Sequence, residues 1–211
     1  MQQLRHWIRH SGPEAEEGVR LARQSIVAAG EDPITLGCGG LALSHLTGDN
    51  VAALSAVNHA IGLNPNYANG FGIRALILAY LDRPEEAILS AQQAMRLSPL
   101  DPGMFAFYSA LALAHLALGR YEEGLRWAEE SLRANIGIPG LRQKLSLCGH
   151  LGRRDVAEEC LRQLREIHPE VTIAGISRGL PKGYSPELTA HFLEGLRKPV
   201  FQKREHLASG H

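Results

Sequence analysis

Apolar residues recur along this chain with the spacing of an α-helix. Residues 84–99, PEEAILSAQQAMRLSP, show the pattern most clearly. Pro84 suits the first position of a helix, where its missing N–H would have no partner, and two glutamates follow it at the positive end of the helix dipole. The residues that then recur on one face are mostly small: Ala87, Ile88, Ala91, Ala94 and Met95. The stretch therefore predicts an amphipathic helix that ends before Pro99.

Similar stretches return at 50–65, 121–136 and 154–169. More apolar stretches lie between them, and turn sequences such as NPN, LDRP and GRRD separate the two kinds. No segment alternates between apolar and polar residues for long enough to predict a strand. The pattern predicts an all-α chain of antiparallel helix pairs joined by short loops.

The helix pairs repeat about every 34 residues, a period typical of helical repeat proteins, and Pro33, Pro65 and Pro99 close successive units. Small residues recur at one place in the second helix of each unit (Ala53, Ala87, Gly124, Ala157), again near its end (Ala60, Ala94, Ser131), and at a matching place in the first helices (Gly40, Ala75, Ala112). Small side chains at these places allow two helix backbones to approach closely where they cross.

A helix–turn–helix unit of this length with small residues at the crossings resembles the tetratricopeptide repeat (TPR). The resemblance implies an all-α, right-handed α-solenoid of TPR-like antiparallel helix pairs. The predicted regions are an N-terminal helix end (1–12), a repeat array (13–169), a C-terminal capping region (170–198) and a flexible tail (199–211). The predicted units are 13–33, 34–65, 66–99, 100–136 and 137–169. A last helix at 186–196 is expected to cover the apolar end of the array.

Several segments also resemble a narrower group of proteins. They are RLSPLDP (96–102), HLALGRYEEGLRWAEESLRAN (115–135), LRQKLSLCGHLGRRDVAEE (141–159), HPEVTIA (168–174) and FLEGLRK (192–198). These resemble the C-terminal repeat region of bacterial, rhizobial-type regulators that begin with a class III adenylate or guanylate cyclase domain or a winged helix. The resemblance implies a separated regulatory or dimerisation module of an adenylate cyclase-like or transcriptional regulator. No strand-rich segment of the kind a cyclase domain requires precedes the repeats.

Composition narrows the functional classes. Hydrophobic residues make up 45 % of the chain and charged residues 21 %, and 22 Lys plus Arg balance 22 Asp plus Glu. This balance gives no general reason to expect nucleic acid as a partner, because binding nucleic acid usually requires a basic face. No apolar run reaches the roughly 20 residues that span a bilayer, and the first ten residues lack the apolar core of a signal peptide. We therefore expect a soluble, cytoplasmic protein that binds neither nucleic acid nor membrane.

The sequence predicts no catalytic, cofactor-binding or metal-binding site. The motifs GxxxxGK[ST], HExxH and GxSxG are all missing from it. His6 and His10 are four residues apart but supply only two zinc ligands. Cys148 and His150 are two apart, which points them to different helix faces. The three cysteines, Cys38, Cys148 and Cys160, form no disulfide framework and are interpreted as small core residues. The chain is therefore predicted not to be an enzyme.

The predicted function is binding of a peptide or protein partner on the concave face. The first helix of each pair lines that face in stacked arrays. Its candidate binding residues are His45, Asn69, Tyr80, Ser109, Arg142, Ser146 and His150. Tyr and Arg are enriched at binding hot spots, whereas the alternative for Tyr80 and His45 is packing between repeats. The helix predicted at 14–29 has no partner helix, so a homodimer through this helix is a further expectation.

Overall fold

The computed structural model describes residues 13–198. The predictions for 1–12, which include His6 and His10, and those for 199–211 lie outside these residues. All regular structure between residues 13 and 198 is helical, which confirms the all-α prediction. The helices are α1 (Pro13–Ala28), α2 (Pro33–Thr47), α3 (Asn50–Leu63), α4 (Ala68–Tyr80), α5 (Pro84–Leu97), α6 (Met104–Ala117), α7 (Tyr121–Ala134), α8 (Ile138–Leu151), α9 (Arg154–Ile167), α10 (Ile173–Arg178) and α11 (Pro186–Arg197).

The ends of α2 show how local chemistry sets the helix boundaries. The Asp32 carboxylate accepts hydrogen bonds from the backbone N–H groups of Ile34 and Thr35, and Pro33 takes the first helical position. Gly48 ends the helix with a φ of 78°, in the left-handed region that favours glycine. The chain can therefore turn sharply into α3.

The helices pack in sequential pairs: α2 with α3, α4 with α5, α6 with α7, and α8 with α9. Each first helix also contacts the first helix of the next pair, so α2, α4, α6 and α8 form one layer. We call this the inner layer. The second helices α3, α5 and α7 each contact their own first helix and the next first helix along the chain. This is a TPR-like solenoid, as predicted.

The predicted small residues mark the helix crossings. Ala53, Ala87 and Ala112 are fully buried. A Cβ added at Gly40 would lie 2.9 Å from the carbonyl oxygen of Ala53, and one added at Gly124 would lie 3.3 Å from that of Ala112. Alanine at Gly40, or a side chain larger than alanine at the buried alanines, would push these helices apart, because packed interiors have little room to adjust.

The cysteines divide into two groups. Cys148 and Cys160 are buried in the core as predicted, and burial raises the pKa of their thiols to about 11 and about 12. The prediction is wrong for Cys38, which is exposed. Cys38 lies on the side of α2 that faces α1, where the apolar surface is not fully covered.

After α9 the chain makes a turn, the short helix α10, a loop and α11. α11 packs against α8 and also reaches α6. Leu188, Phe192 and Leu196 share one buried face, as the sequence predicts. α11 thus covers apolar surface of α8, the first helix of the last pair, as expected of a capping helix. None of the helices between residues 13 and 198 has the length and apolarity needed to cross a membrane.

Candidate functional site: the inner layer

Residues 168–197, here called the C-terminal segment, lie along the inner layer. α11 contacts α8 and α6, and the loop before it reaches the first two pairs. In that loop the amide of Lys182 donates to the carbonyl of His45 at 3.1 Å, and the amide of Ser185 donates to that of Tyr80 at 2.8 Å. The chain therefore returns from its last helix pair to its first pair along the face predicted to bind a partner.

Three predicted site residues on α8 hold the main chain of this segment. They donate hydrogen bonds to its carbonyl oxygens: Arg142 Nη1 to Gly179 at 3.1 Å, Ser146 Oγ to Phe192 at 2.7 Å and His150 Nε2 to His191 at 2.9 Å. Every peptide carries such carbonyl oxygens, so these contacts recognise a main chain rather than a particular side chain. The same bonds satisfy polar groups that would otherwise be costly to bury.

Tyr80 belongs to a cluster of aromatic rings between the inner layer and the segment. Its ring centroid lies 4.8 Å from that of Tyr184, and the Tyr184 ring contacts Phe192 edge to face at 6.1 Å. The Tyr80 hydroxyl shares a 2.9 Å hydrogen bond with His45 Nε2. Burial raises the pKa of both Tyr80 and Tyr184 well above the ordinary tyrosine value. Tyr80 and His45 thus pack together and against the chain itself.

The remaining predicted site residues differ in exposure. Ser109 is buried and accepts a 2.7 Å hydrogen bond from Gln143 Nε2. Arg142 is only 8 % exposed, and burial lowers the pKa of its guanidinium. Asn69 is exposed at the start of α4. The structure therefore brings six of the seven residues into internal contacts and leaves Asn69 on the surface.

Sequence reasoning missed Asn50 and Gly183. The Asn50 side-chain amide donates to the Gly183 carbonyl at 2.6 Å, and its oxygen accepts from Ser44 Oγ at 2.6 Å. A Cβ at Gly183 would lie 2.7 Å from Ser44 Oγ, so only glycine fits this approach. Asn50 follows an aspartate that caps α3, and nothing in the local pattern signals that it holds a segment far along the chain.

Polar groups also meet where α11 crosses the end of α8. The His150 ring stacks on Tyr121 at 4.3 Å, the Tyr121 hydroxyl shares a 2.7 Å hydrogen bond with His191 Nε2, and Glu194 pairs with Lys198 at 3.1 Å. Donor atoms of His150, His191 and Glu194 lie within 4.8 Å of one another. Zinc ligands lie about 2.0–2.2 Å from the ion and therefore roughly 3.3 Å apart. The hydrogen bonds and the ion pair already explain why His150, His191 and Glu194 lie close together. We therefore assign no metal ion to these three residues.

A groove of about 730 Å³ runs between α1 and α2, and we call it the α1–α2 groove. Its lining is mostly apolar and includes Ala15, Gly18, Leu21 and Ala22 from α1 and Ile34, Cys38, His45 and Leu46 from α2. Leu21 is 51 % exposed and Ile34 is 60 % exposed. Large apolar side chains grouped in this way mark interaction surfaces.

Comparison with known proteins supports the fold. The chain is similar to the solved structure of PilW, described as a widely conserved type IV pilus biogenesis factor, with a TM-score of 0.66 and 12 % sequence identity. The match covers 95 % of this chain and 94 % of that chain. No protein-family model matches the sequence, and no curated protein matches it either. At this identity the similarity concerns the TPR-like fold alone.

Proposed function

We propose that this chain is a helical-repeat interaction module that binds a peptide or protein partner and performs no catalysis. The supporting observation is that its inner layer already holds a peptide segment through side chains that donate to main-chain carbonyls. A rigid helical surface that presents such donors binds by preorganised shape and needs no covalent chemistry. Two of the three thiols fit this proposal, because Cys148 and Cys160 are only 1 % and 2 % exposed and are therefore out of reach of a substrate.

The proposed contact surface is the N-terminal part of the concave face. Asn69 is exposed there, and the half-buried His45 lines the α1–α2 groove while its ring also contacts Tyr80. Tyr80, Arg142, Ser146 and His150 contact the C-terminal segment, so a partner would meet them only after displacing it. Ser109 is buried against Gln143 and would become accessible only if that contact opened. A partner that approaches from the N-terminal end avoids that cost, so we propose that it docks there first.

Site-specific photo-crosslinking tests this proposal. A photoreactive amino acid at Asn69 should capture a partner in cells that express the protein. The same group at Leu89, which is 65 % exposed on α5, serves as the control. The captured protein is then purified and titrated against the full chain. Saturable binding that weakens when Asn69 is replaced supports the proposal. Equal capture at both positions, or no binding by the purified protein, would refute it.

The resemblance to bacterial regulators supports a second proposal. In this proposal the chain is a cytoplasmic regulatory or dimerisation module of a cyclase-like or transcriptional regulator, and it self-associates through α1. Light scattering over a concentration series distinguishes the two. The regulatory proposal expects a dimer that dissociates in Leu21→Glu, whereas the adaptor proposal expects a monomer. Neither proposal requires nucleic acid or a membrane.

A further inference from the structure

α1 has the residue pattern of the second helix of a helix pair. Gly18 lies ten residues before Ala28, the last residue of α1. Ala53 likewise lies ten residues before Leu63, the last residue of α3. The crossing residues of the later second helices, Ala87, Gly124 and Ala157, occupy the same position relative to their helix ends. Ser25 likewise matches Ser131 near the end of α7. α1 therefore carries the small residues that receive a first helix.

The other units show what fills the equivalent groove. α2 contacts both α3 and α4, α4 contacts both α5 and α6, and α6 contacts both α7 and α8. α1 contacts α2 in the way that each later second helix contacts the next first helix. In all three equivalent grooves the occupant is an α-helix. Among residues 13–198 no helix takes that place against α1 and α2.

We propose that the α1–α2 groove binds an amphipathic α-helix of a partner protein in the position of a first helix. This inference rests on the proposed function, and it specifies where on the chain the partner binds and what kind of structure the partner presents. The apolar face of the helix would cover Leu21 and Ile34, and a glycine or alanine would face Gly18. A helix fits better than an extended strand, because an α-helix fills the equivalent groove in each of the three later units.

Cys38 provides a reporter inside the groove. It is exposed and lines the groove, whereas Cys148 and Cys160 are buried at 1 % and 2 % exposure. A disulfide reagent such as dithionitrobenzoate should therefore modify Cys38 first in the native chain. The probes are three synthetic peptides with the sequences of α2, α4 and α6, extended with lysines for solubility, and a scrambled version of each.

At least one of the three peptides should slow the modification of Cys38 tenfold or more at saturation, and its scrambled version should not. Gly18→Leu and Leu21→Glu should weaken the binding of that peptide at least tenfold. Gly18→Leu is expected to fold, because a Cβ there meets only the end of the Leu46 side chain, at 3.0 Å. Val27→Glu is the matched control, since Val27 is 85 % exposed on the same helix and does not line the groove.

Several outcomes would overturn this inference. Peptide binding that is equal in the wild type, Leu21→Glu and Gly18→Leu would place the site elsewhere and leave the proposed function intact. Failure of all three peptides to protect Cys38 would exclude a helix from the groove. If Cys38 reacted slowly in the free monomer, another part of the same chain would have to cover the α1–α2 groove. Protection that increases with protein concentration would identify a second copy as the occupant.

Discussion

Gly149 of α8 and Gly195 of α11 face each other where the two helices cross. A Cβ added at Gly149 would overlap the carbonyl oxygen of Gly195, and one added at Gly195 would overlap the carbonyl oxygen of Ser146. The two backbones are therefore in direct contact. This crossing fixes the position of α11 on the inner layer.

Gly149→Ala should lower the free energy of unfolding by about 3 kcal/mol, since the obstacle is main chain and cannot rotate away. Urea denaturation followed by circular dichroism measures this. Gly62→Ala is the control, because Gly62 lies in α3 and a Cβ there meets nothing within 4 Å. It should be neutral or stabilising by up to about 1 kcal/mol. Equal losses in both variants would mean that the crossing is not the cause.

Tyr80→Phe should lower the free energy of unfolding by about 1 kcal/mol, because it removes one side of the hydrogen bond with His45 and keeps the ring. Thermal and urea unfolding measure the change. Tyr108→Phe is a suitable comparison, since Tyr108 stacks on Trp127 at 5.6 Å and its hydroxyl is not part of this cluster. Identical effects of the two substitutions would contradict the role given to the Tyr80 hydroxyl.

The stability of the protein should fall at alkaline pH. Burial raises the pKa of Cys160 from 9.0 to about 12, and its thiol donates to the Leu141 carbonyl at 3.1 Å. Above pH 9 the unfolded chain loses this proton and the folded chain keeps it, so stability decreases as the pH rises from 9 towards 12. Urea midpoints at pH 8 and pH 10 test this. The Cys160→Ala variant should be less stable than the wild type at pH 8. Its urea midpoint should, however, fall less than that of the wild type between pH 8 and pH 10.

Acid should destabilise the protein through two half-buried histidines. Burial lowers the pKa of His115 and of His150 below the ordinary value of 6.5. As the pH falls below 6.5 the unfolded chain binds protons before the folded chain does, so stability is full above that value and decreases below it. Titration of the imidazole proton signals by NMR should give midpoints below 6.5 for both. A midpoint above 6.5 for His150 would contradict its environment at the α8–α11 crossing.

Two loop amides in the C-terminal segment should exchange slowly with solvent deuterium. The N–H groups of Lys182 and Ser185 donate to carbonyls of α2 and α4, so they open only when the segment leaves the inner layer. The loop at 98–103 is the comparison, because its hydrogen bonds are all local. Rapid exchange in both loops would show that the segment detaches readily.

The repeat fold could be predicted because its determinants are local and periodic. Ala53 and Gly40 lie within one helix pair, and the requirement for small side chains at a crossing recurs in every unit. The solvent exposure of individual side chains is harder to predict. Cys38 has the apolar neighbours of a core residue, yet it is exposed because no first helix among the described residues covers that side of α2.

The candidate site could be predicted only in part. Tyr80, Arg142 and Ser146 do lie on the inner layer, since helical spacing determines which face a residue occupies. The path of the C-terminal segment cannot be predicted from the sequence, because it depends on approaches such as that of Gly183 to Ser44, which leave no periodic signal. Whether a partner also contacts these residues stays a prediction.

In a simple helical array each unit touches only its neighbours, so stability is a sum of local terms and unfolding can begin at one end. The hydrogen bond between Asn50 and Gly183 joins residues 133 positions apart. Together with the contacts of α11 on α8, it ties the first helix pair to the last. Long-range contacts of this kind raise contact order and slow folding. The chain should therefore unfold in one cooperative transition, and it should tolerate the deletion of a repeat less well than an open array would.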